Sequence, residues 1–526
     1  MLGAALLAAC NSDDHQPSNA TQPQHQSVLR RGLGGEPGSL DPAQAVDSFS
    51  GELLDDLYEG LIAESSNGEL LPGVAESWTV DASGTQYSFQ LRRDAKWSNG
   101  TAVTAQDFVK AWRRVLDPKG ASPVADNLRV IRGADAIIHG RASPETLSAS
   151  SPRDDLLVVN LEKPAPYFLQ MLTHSSSFPI YSDAAAKSHD PKAWVSDGPY
   201  VLSSWIPGGT LHLLKNEHYW NRTQVSIGTV DYIPVSDENA EITQYRADQL
   251  DLTQGVPTAM LAVLRRDRPS EFHSAPLLGT AYYAFNLRRG PMKDNVALRQ
   301  SLAMAIDRKL ILQTLLPYGQ QPAYGFLPPG TLHYDPQSWP WKTLSDEARI
   351  QEARRLYASA GYTAKKPLHL TLLFNTNTNI KQLAIAIAAM WKETLGIDTH
   401  LVDEEYRVFL QSRKDASRWD VLRFAWTGDY NDAGNFLDTL RTNSPNNDAG
   451  YTDGRYDAML GEASNTMDTQ KRQDLLQSAE RLMLSDYPIM PIFFLSSHRL
   501  IKPYVKGEIA NPLNRLYSKH LTVESH

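Results

Sequence analysis

The sequence predicts an α/β protein. Short runs of β-forming residues alternate with amphipathic helical stretches along its length, which favours layers of sheet and helix over a helical bundle or an all-β sandwich. In 380–395, Ile380, Leu383, Ala384, Ile387, Trp391 and Leu395 recur at three- and four-residue steps and give one apolar helical face. Strand-like runs at 155–161, 280–287 and 367–374 are each bounded by turn or charged residues.

The elements follow in chain order. Residues 11–27 are polar, with almost nothing to bury, and read as a flexible tether, so folding is expected to begin near Val28. The glycines of Gly32-Leu33-Gly34-Gly35-Glu36-Pro37 begin like a dinucleotide fingerprint. Pro37 stands in the sixth place and no adequate strand precedes it, so the segment reads as a loop. Thr104 caps a helix whose Phe108, Val109, Trp112 and Val115 face inward. A helix over 294–306 is expected with Asp294 as its N-cap and Val296, Leu298, Leu302 and Ile306 on its buried side. Gly396 stops the helix over 380–395. A strand over 420–427 would place Arg423, Ala425 and Thr427 on one face. Pro and Gly are spread evenly, so no linker divides the folded part, and domains built from interleaved segments are expected.

Composition narrows the function. The chain has 526 residues, enough for several domains, and 41% hydrophobic residues with 11 Trp and 22 Tyr are too many for a chain that stays disordered. A net charge of −9 with scattered Lys and Arg gives no basic surface for nucleic acid. After residue 10 no stretch approaches the roughly 20 apolar residues of a membrane-spanning helix.

The single cysteine, Cys10, rules out an intramolecular disulfide and a cysteine metal cluster. It ends Leu7-Ala8-Ala9-Cys10, after a short apolar run that reads as the end of an export signal. Those four residues resemble the lipobox of bacterial lipoproteins, in which the cysteine takes the lipid. An ordinary signal peptide with a chance cysteine is the alternative. The run lacks a positively charged lead, so the true start is expected upstream.

Catalytic signatures are missing. There is no G-x-S-x-G, phosphate loop, H-E-x-x-H or S-x-x-K, and no two histidines lie at i, i+4 or as H-x-H. Neither a metal nor a cofactor is expected. Asp429-Tyr430-Asn431-Asp432-Ala433-Gly434 imitates a calcium loop, but Leu440 occupies the place of the bidentate carboxylate. What remains is a concentration of charge and aromatics over 406–432. By composition alone this is a core strand with a solvated Arg and a turn-forming Asp; a ligand site is the other reading.

From about residue 28 onward the chain resembles the oligopeptide-binding proteins, the extracytoplasmic receptors of bacterial peptide ABC importers (family 5 of the extracellular solute-binding proteins). The matching residues are dispersed: Leu40-Asp41-Pro42, Leu71-Pro72-Gly73-Val74-Ala75-Glu76-Ser77-Trp78, Leu91-Arg92-Arg93-Asp94-Ala95-Lys96-Trp97-Ser98-Asn99-Gly100, Asp197-Gly198-Pro199-Tyr200, Tyr282-Tyr283-Ala284-Phe285-Asn286 and Trp426-Thr427-Gly428-Asp429-Tyr430-Asn431. The resemblance implies a three-domain periplasmic-binding-protein fold, with two α/β lobes joined by hinge strands and an inserted α+β domain. Carried over, lobe I comprises 29–59, 184–278 and 496–526, the inserted domain II 60–183, and lobe III 279–495.

It also implies a site. A receptor for varied peptides must hold what all of them share, the backbone and the two charged termini. Strand addition binds the first, and an unpaired charge in a closed cleft is strongly unfavourable. By resemblance Asp429 meets the terminal ammonium, while Arg413 and Arg423 match positions that grip the carboxylate for particular ligand lengths, as guanidinium groups do in pairs of parallel hydrogen bonds. Ala425, Trp426 and Thr427 form the ligand-pairing edge, opposite Val46, Asp47 and Ser48 of lobe I. Tyr406 lines a side-chain pocket, and Tyr283 and Asn286 lie beside the hinge.

The enteric relatives' disulfide falls on Gly279 and Thr427, and their carboxylate-holding His and Lys on Ile380 and, approximately, Thr314, so peptide length preference does not carry over. The expected partners are an oligopeptide and the permease subunits of an ABC importer, with no nucleic acid and membrane contact only through a lipid on Cys10. A periplasmic monomer is expected. The rivals are specialised cargo (murein peptides, peptide antibiotics, opines, a metal or haem complex), a secreted hydrolase using paired carboxylates, and an envelope folding helper.

Overall fold

The computed structural model describes residues 27–182, 194–316, 319–363, 365–507 and 510–525. Cys10 and the tether up to residue 26 lie outside them. Helices and sheets are mixed throughout, as the alternation predicts.

The first strand, Val28–Leu33, runs parallel to Thr229–Pro234, which continues antiparallel through Leu211–Lys215 to Tyr200–Trp205. Here the glycine-rich reading needs correction, because Gly32 and Leu33 end a strand rather than open a loop. A Cβ on Gly32 would lie 1.8 Å from the Glu241 carboxylate, so close packing rather than a turn requires the glycine. Arg31 of this strand is fully buried and bonds Glu52 at 3.1 Å, Ser518 at 2.7 Å and the Leu516 carbonyl at 2.8 Å. It thereby locks the helix Ser48–Leu57 and the C-terminal tail onto the sheet.

Within 60–183 an antiparallel sheet runs in the order Ala75–Val80, Gln86–Leu91, Leu156–Asn160, Ala149–Arg153. The expected helix packs beside it as Ala105–Leu116. At its start the Asp107 carboxylate accepts from both the backbone N–H and the hydroxyl of Thr104 at 2.9 Å.

The third sheet has six strands in the order Gln321–Pro322, Ile489–Leu500, Phe272–Phe285, Val421–Thr427, His369–Asn375, Asp398–Glu404. The expected strand over 280–287 is the second half of the 14-residue Phe272–Phe285. Its first half, with Pro276, lacks alternation and is held by pairing with Ser496–Leu500. The ladder between these two long strands breaks between Pro276 and Thr280. The helix expected over 294–306 spans Val296–Met304 and is capped by Asn295, which accepts from Leu298 N–H at 3.1 Å, in place of Asp294. The helix over 380–395 spans Thr378–Leu395, and Gly396 follows at φ 74°.

Two large apolar cores result. One gathers residues from Leu29 through Tyr232 with Leu252 and the C-terminal tail, and the other gathers Leu278 through Phe493. The segment 60–183 shares the first core with the Val28–Leu33 sheet. Among the described residues no helix is long and apolar enough to cross a membrane, and no group of side chains could hold a metal ion.

Candidate functional site

The strand Val421–Thr427 is paired asymmetrically. On one side it follows Phe272–Phe285 for its whole length, from Phe285↔Val421 to Gly279↔Thr427. On the other it meets His369–Asn375 only at Val421 and Leu422. From Arg423 to Thr427 this second edge has no ladder partner among the described residues, so its alternate N–H and C=O groups form a template for an extended chain. Gly279 and Thr427 stand opposite each other in register. A Cβ at Gly279 would meet Leu495 at 2.7 Å and the Trp426 carbonyl at 3.1 Å.

Asp429 lies two residues beyond the strand, accessible to solvent, with its backbone fixed by neighbours. Gly428 N–H donates to the Leu278 carbonyl at 2.8 Å. Asn435 Oδ1 accepts from Trp426 Nε1 at 3.0 Å and from Asp429 N–H at 3.2 Å, while Asn435 Nδ2 donates to the Asp429 carboxylate at 3.2 Å. The crowding protein wall pushes the Asp429 carboxyl above the ordinary carboxylate range, and the Asn435 hydrogen bond opposes it. The carboxylate remains exposed to solvent. Next to it, Tyr430 stacks on Tyr167 of the 60–183 segment, with ring centroids 5.3 Å apart. Position 429 therefore sits beside the place where the two bodies touch.

The two arginines differ. Arg423 lies opposite Tyr283 in the ladder. Its Nε and the Tyr283 hydroxyl are both buried without a hydrogen-bond partner among the described residues. Burial lowers the Arg423 pKa, with the neighbouring tyrosines opposing. Arg413 instead packs 4.5 Å over the Phe424 ring and faces Asp448 at 3.2 Å, a carboxylate that Lys414 also contacts at 2.7 Å. Arg413 is thus already ion-paired, while Arg423 is not.

Other expected residues divide similarly. Tyr406 is 54% exposed and opens the helix Tyr406–Ser412, with its ring stacked on Phe409. Asn286 needs correction. It is fully buried, donating to the Ala416 and Trp419 carbonyls at 2.7 and 2.9 Å and accepting from Arg288 N–H at 3.1 Å, which makes it a brace for a turn. Val46, Asp47 and Ser48 do not form a strand edge either. Val46 is exposed, Ser48 begins the helix, and Asp47 is its cap, accepting from Ser50 N–H at 2.8 Å. The calcium-like segment has a structural explanation, since Asp432 caps Ala433–Leu437 and holds Arg472 through two bonds of 2.7 and 2.8 Å.

Sequence reasoning missed Asn435, Asp448 and Tyr167. An Asn within a short helical turn and a Tyr far away in the chain carry no local signal of a shared site.

Two bodies with separate cores, bridged by a pair of long strands and facing each other across an open strand edge, define an extracellular solute-binding protein. The sequence model for "Bacterial extracellular solute-binding proteins, family 5 Middle" matches residues 69–448. The chain belongs to that family. It is 36% identical to the periplasmic murein peptide-binding protein MppA of Escherichia coli over 97% of this chain and 95% of that protein. It is also 36% identical to the periplasmic oligopeptide-binding protein OppA of the same organism over 100% and 97%. The unliganded open form of MppA superposes with a TM-score of 0.88 at 36% identity, covering 95% of this chain and 98% of that one. A second structure of the murein tripeptide binder superposes at 0.76, with coverage of 95% and 99%. OppA of Haemophilus influenzae in complex with the peptide RPPGFSPFR superposes at 0.73, with 34% identity and coverage of 96% and 100%.

Proposed function

We propose that this protein is an extracytoplasmic receptor that captures oligopeptides between two lobes and hands them to an ABC importer. The observation that carries this is the unpaired edge Arg423–Thr427 ending at Asp429. Main-chain pairing along that edge accepts any side chain, and Asp429 supplies the charge that a peptide's ammonium requires. Arg423, half-buried and without a carboxylate partner among the described residues, is the group for the ligand's carboxylate, and Tyr406 borders the same strand. Both relatives named above are periplasmic peptide binders by name, so the periplasm is the place of action. A lipid on Cys10 would anchor the chain to a membrane there.

We assign lobe I to 29–59, 184–278 and 496–526, the inserted domain to 60–183 and lobe III to 279–495. The lobes close about the ladder break at Pro276–Thr280. Ligand contacts with both faces stabilise the closed state and so shift the population towards it. Equal identity to a murein-peptide and an oligopeptide binder supports murein peptides as a second cargo class.

The test is calorimetry with short peptides. Asp429→Asn is expected to weaken free-amine peptides about 100-fold or more, as removing one partner of a desolvated pair does, while the apo thermal midpoint stays nearly constant. N-acetylation should weaken wild-type binding comparably. Unchanged affinity after acetylation would remove Asp429 from its role.

A further inference from the structure

Beside Val46–Ser48, which the peptide-receptor reading places against the ligand, lies a pocket of about 390 Å³ whose wall includes Ser48, Gly51 and Asp55, residues at three- and four-residue steps along one face of the helix Ser48–Leu57. Gly51 leaves the middle of that wall bare, since a Cβ there would meet no atom within 4 Å. A trough therefore runs along the helix to Asp55, which lies ~6 Å of helix rise beyond Gly51.

The other charged groups at this pocket are engaged. Asp47 caps the helix, and Glu52 accepts from Arg31 at 3.1 Å and from Gln254 at 2.6 Å. Arg515 is held by Glu64 at 2.9 Å and by the Thr173 carbonyl at 3.0 Å. His174 accepts from Ser176 N–H at 3.1 Å, and burial depresses its pKa to about 4, so it is neutral. The Asp55 carboxyl makes no hydrogen bond or ion pair among the described residues. Burial raises its pKa to about 7, with Arg515 opposing and Glu64, Asp56 and Glu52 reinforcing. Asp55 thus lines the pocket without a bonded partner among the described residues, while Asp47, Glu52 and Arg515 are each held by other groups.

We propose that this pocket is a side-chain subsite for a lysine or arginine of the bound peptide, and that Asp55 is the residue that determines that preference. The proposal rests on the peptide-receptor reading. Three carboxylates face the pocket against one guanidinium already tied to Glu64, so the local field favours a cation. An entering ammonium or guanidinium stabilises ionised Asp55, and the proton that Asp55 carried in the empty pocket leaves to solvent.

Isothermal calorimetry at pH 7 tests this with tripeptides carrying lysine or norleucine at each position in turn, in two buffers of different ionisation heat. Wild type is expected to prefer lysine at one position by about 10-fold or more, and to release protons on binding that peptide. In Asp55→Asn the ratio should fall to about one and proton release should vanish. Gly51→Leu, which fills the trough and suits a helix, should also abolish the preference with Asp55 intact. A lysine preference that survives in both variants overturns the subsite, as does wild-type binding of these peptides with no preference at any position. If none of the tripeptides binds, the peptide-receptor reading falls with it.

Discussion

Arg413 and Arg423 show how a single neighbour decides what a charged residue can do. The guanidinium of Arg413 is matched by Asp448 and sits over Phe424, whereas Arg423 faces Tyr283 with no carboxylate at hand. A partly desolvated cation without a partner is unfavourable, and that cost is recovered when an anion arrives. Arg423→Met should therefore leave the apo thermal midpoint unchanged or raised, and weaken free-carboxylate peptides by about 10-fold relative to their amides. Arg413→Met should do the reverse. Asp448 would keep only Lys414, and chemical denaturation should show a loss of about 1–3 kcal/mol. The residue types and their order were legible beforehand, but the pairing was not. Asp448 lies in a separate loop, and nothing in the spacing of 413 and 423 says which arginine it meets.

At the scale of the element, periodicity located helices and strands wherever one face is buried against one layer. It placed 380–395 and 367–374 to within two residues of Thr378–Leu395 and His369–Asn375. It failed where pairing rather than pattern holds the chain, as in the first half of Phe272–Phe285, whose partner is Ser496–Leu500. Of the expected caps, the one at Thr104 forms, whereas Asn295 takes the place expected for Asp294. The Asp107 carboxylate holds the Thr104 backbone and hydroxyl and approaches Trp97 Nε1 at 3.4 Å. Asp107→Ala should cost about 1–2 kcal/mol in denaturant titrations while leaving peptide affinity unaltered, because this helix lies outside the cleft. The open edge at Arg423–Thr427 is a property of two elements together. It exists because His369–Asn375 pairs with Val421 and Leu422 and no further.

For the whole molecule, the decisive feature is that the apolar interior is divided. Each large core is gathered without the other, so the closure proposed above would expose neither and would act on the long strands and on contacts such as Tyr167 on Tyr430. The open arrangement should be the apo state in solution. Small-angle scattering should show the radius of gyration falling when a saturating tripeptide is added to wild type, and remaining at the apo value for Asp429→Asn at the same concentration. An apo radius already as small as the liganded one would contradict it.

The sequence by itself determined the α/β class, the main helices and strands, the family, and the short segment 423–429 that carries the proposed site. These follow from local pattern and from motifs that read along the chain. Only the tertiary structure decided that Asn286 and Asp47 are braces, that Arg413 is neutralised, that Asn435 orients Asp429, and that Asp55 stands alone at the end of a trough. Burial and partnership depend on residues brought together from distant parts of the chain, and a carboxylate's chemistry is set by what surrounds it in space.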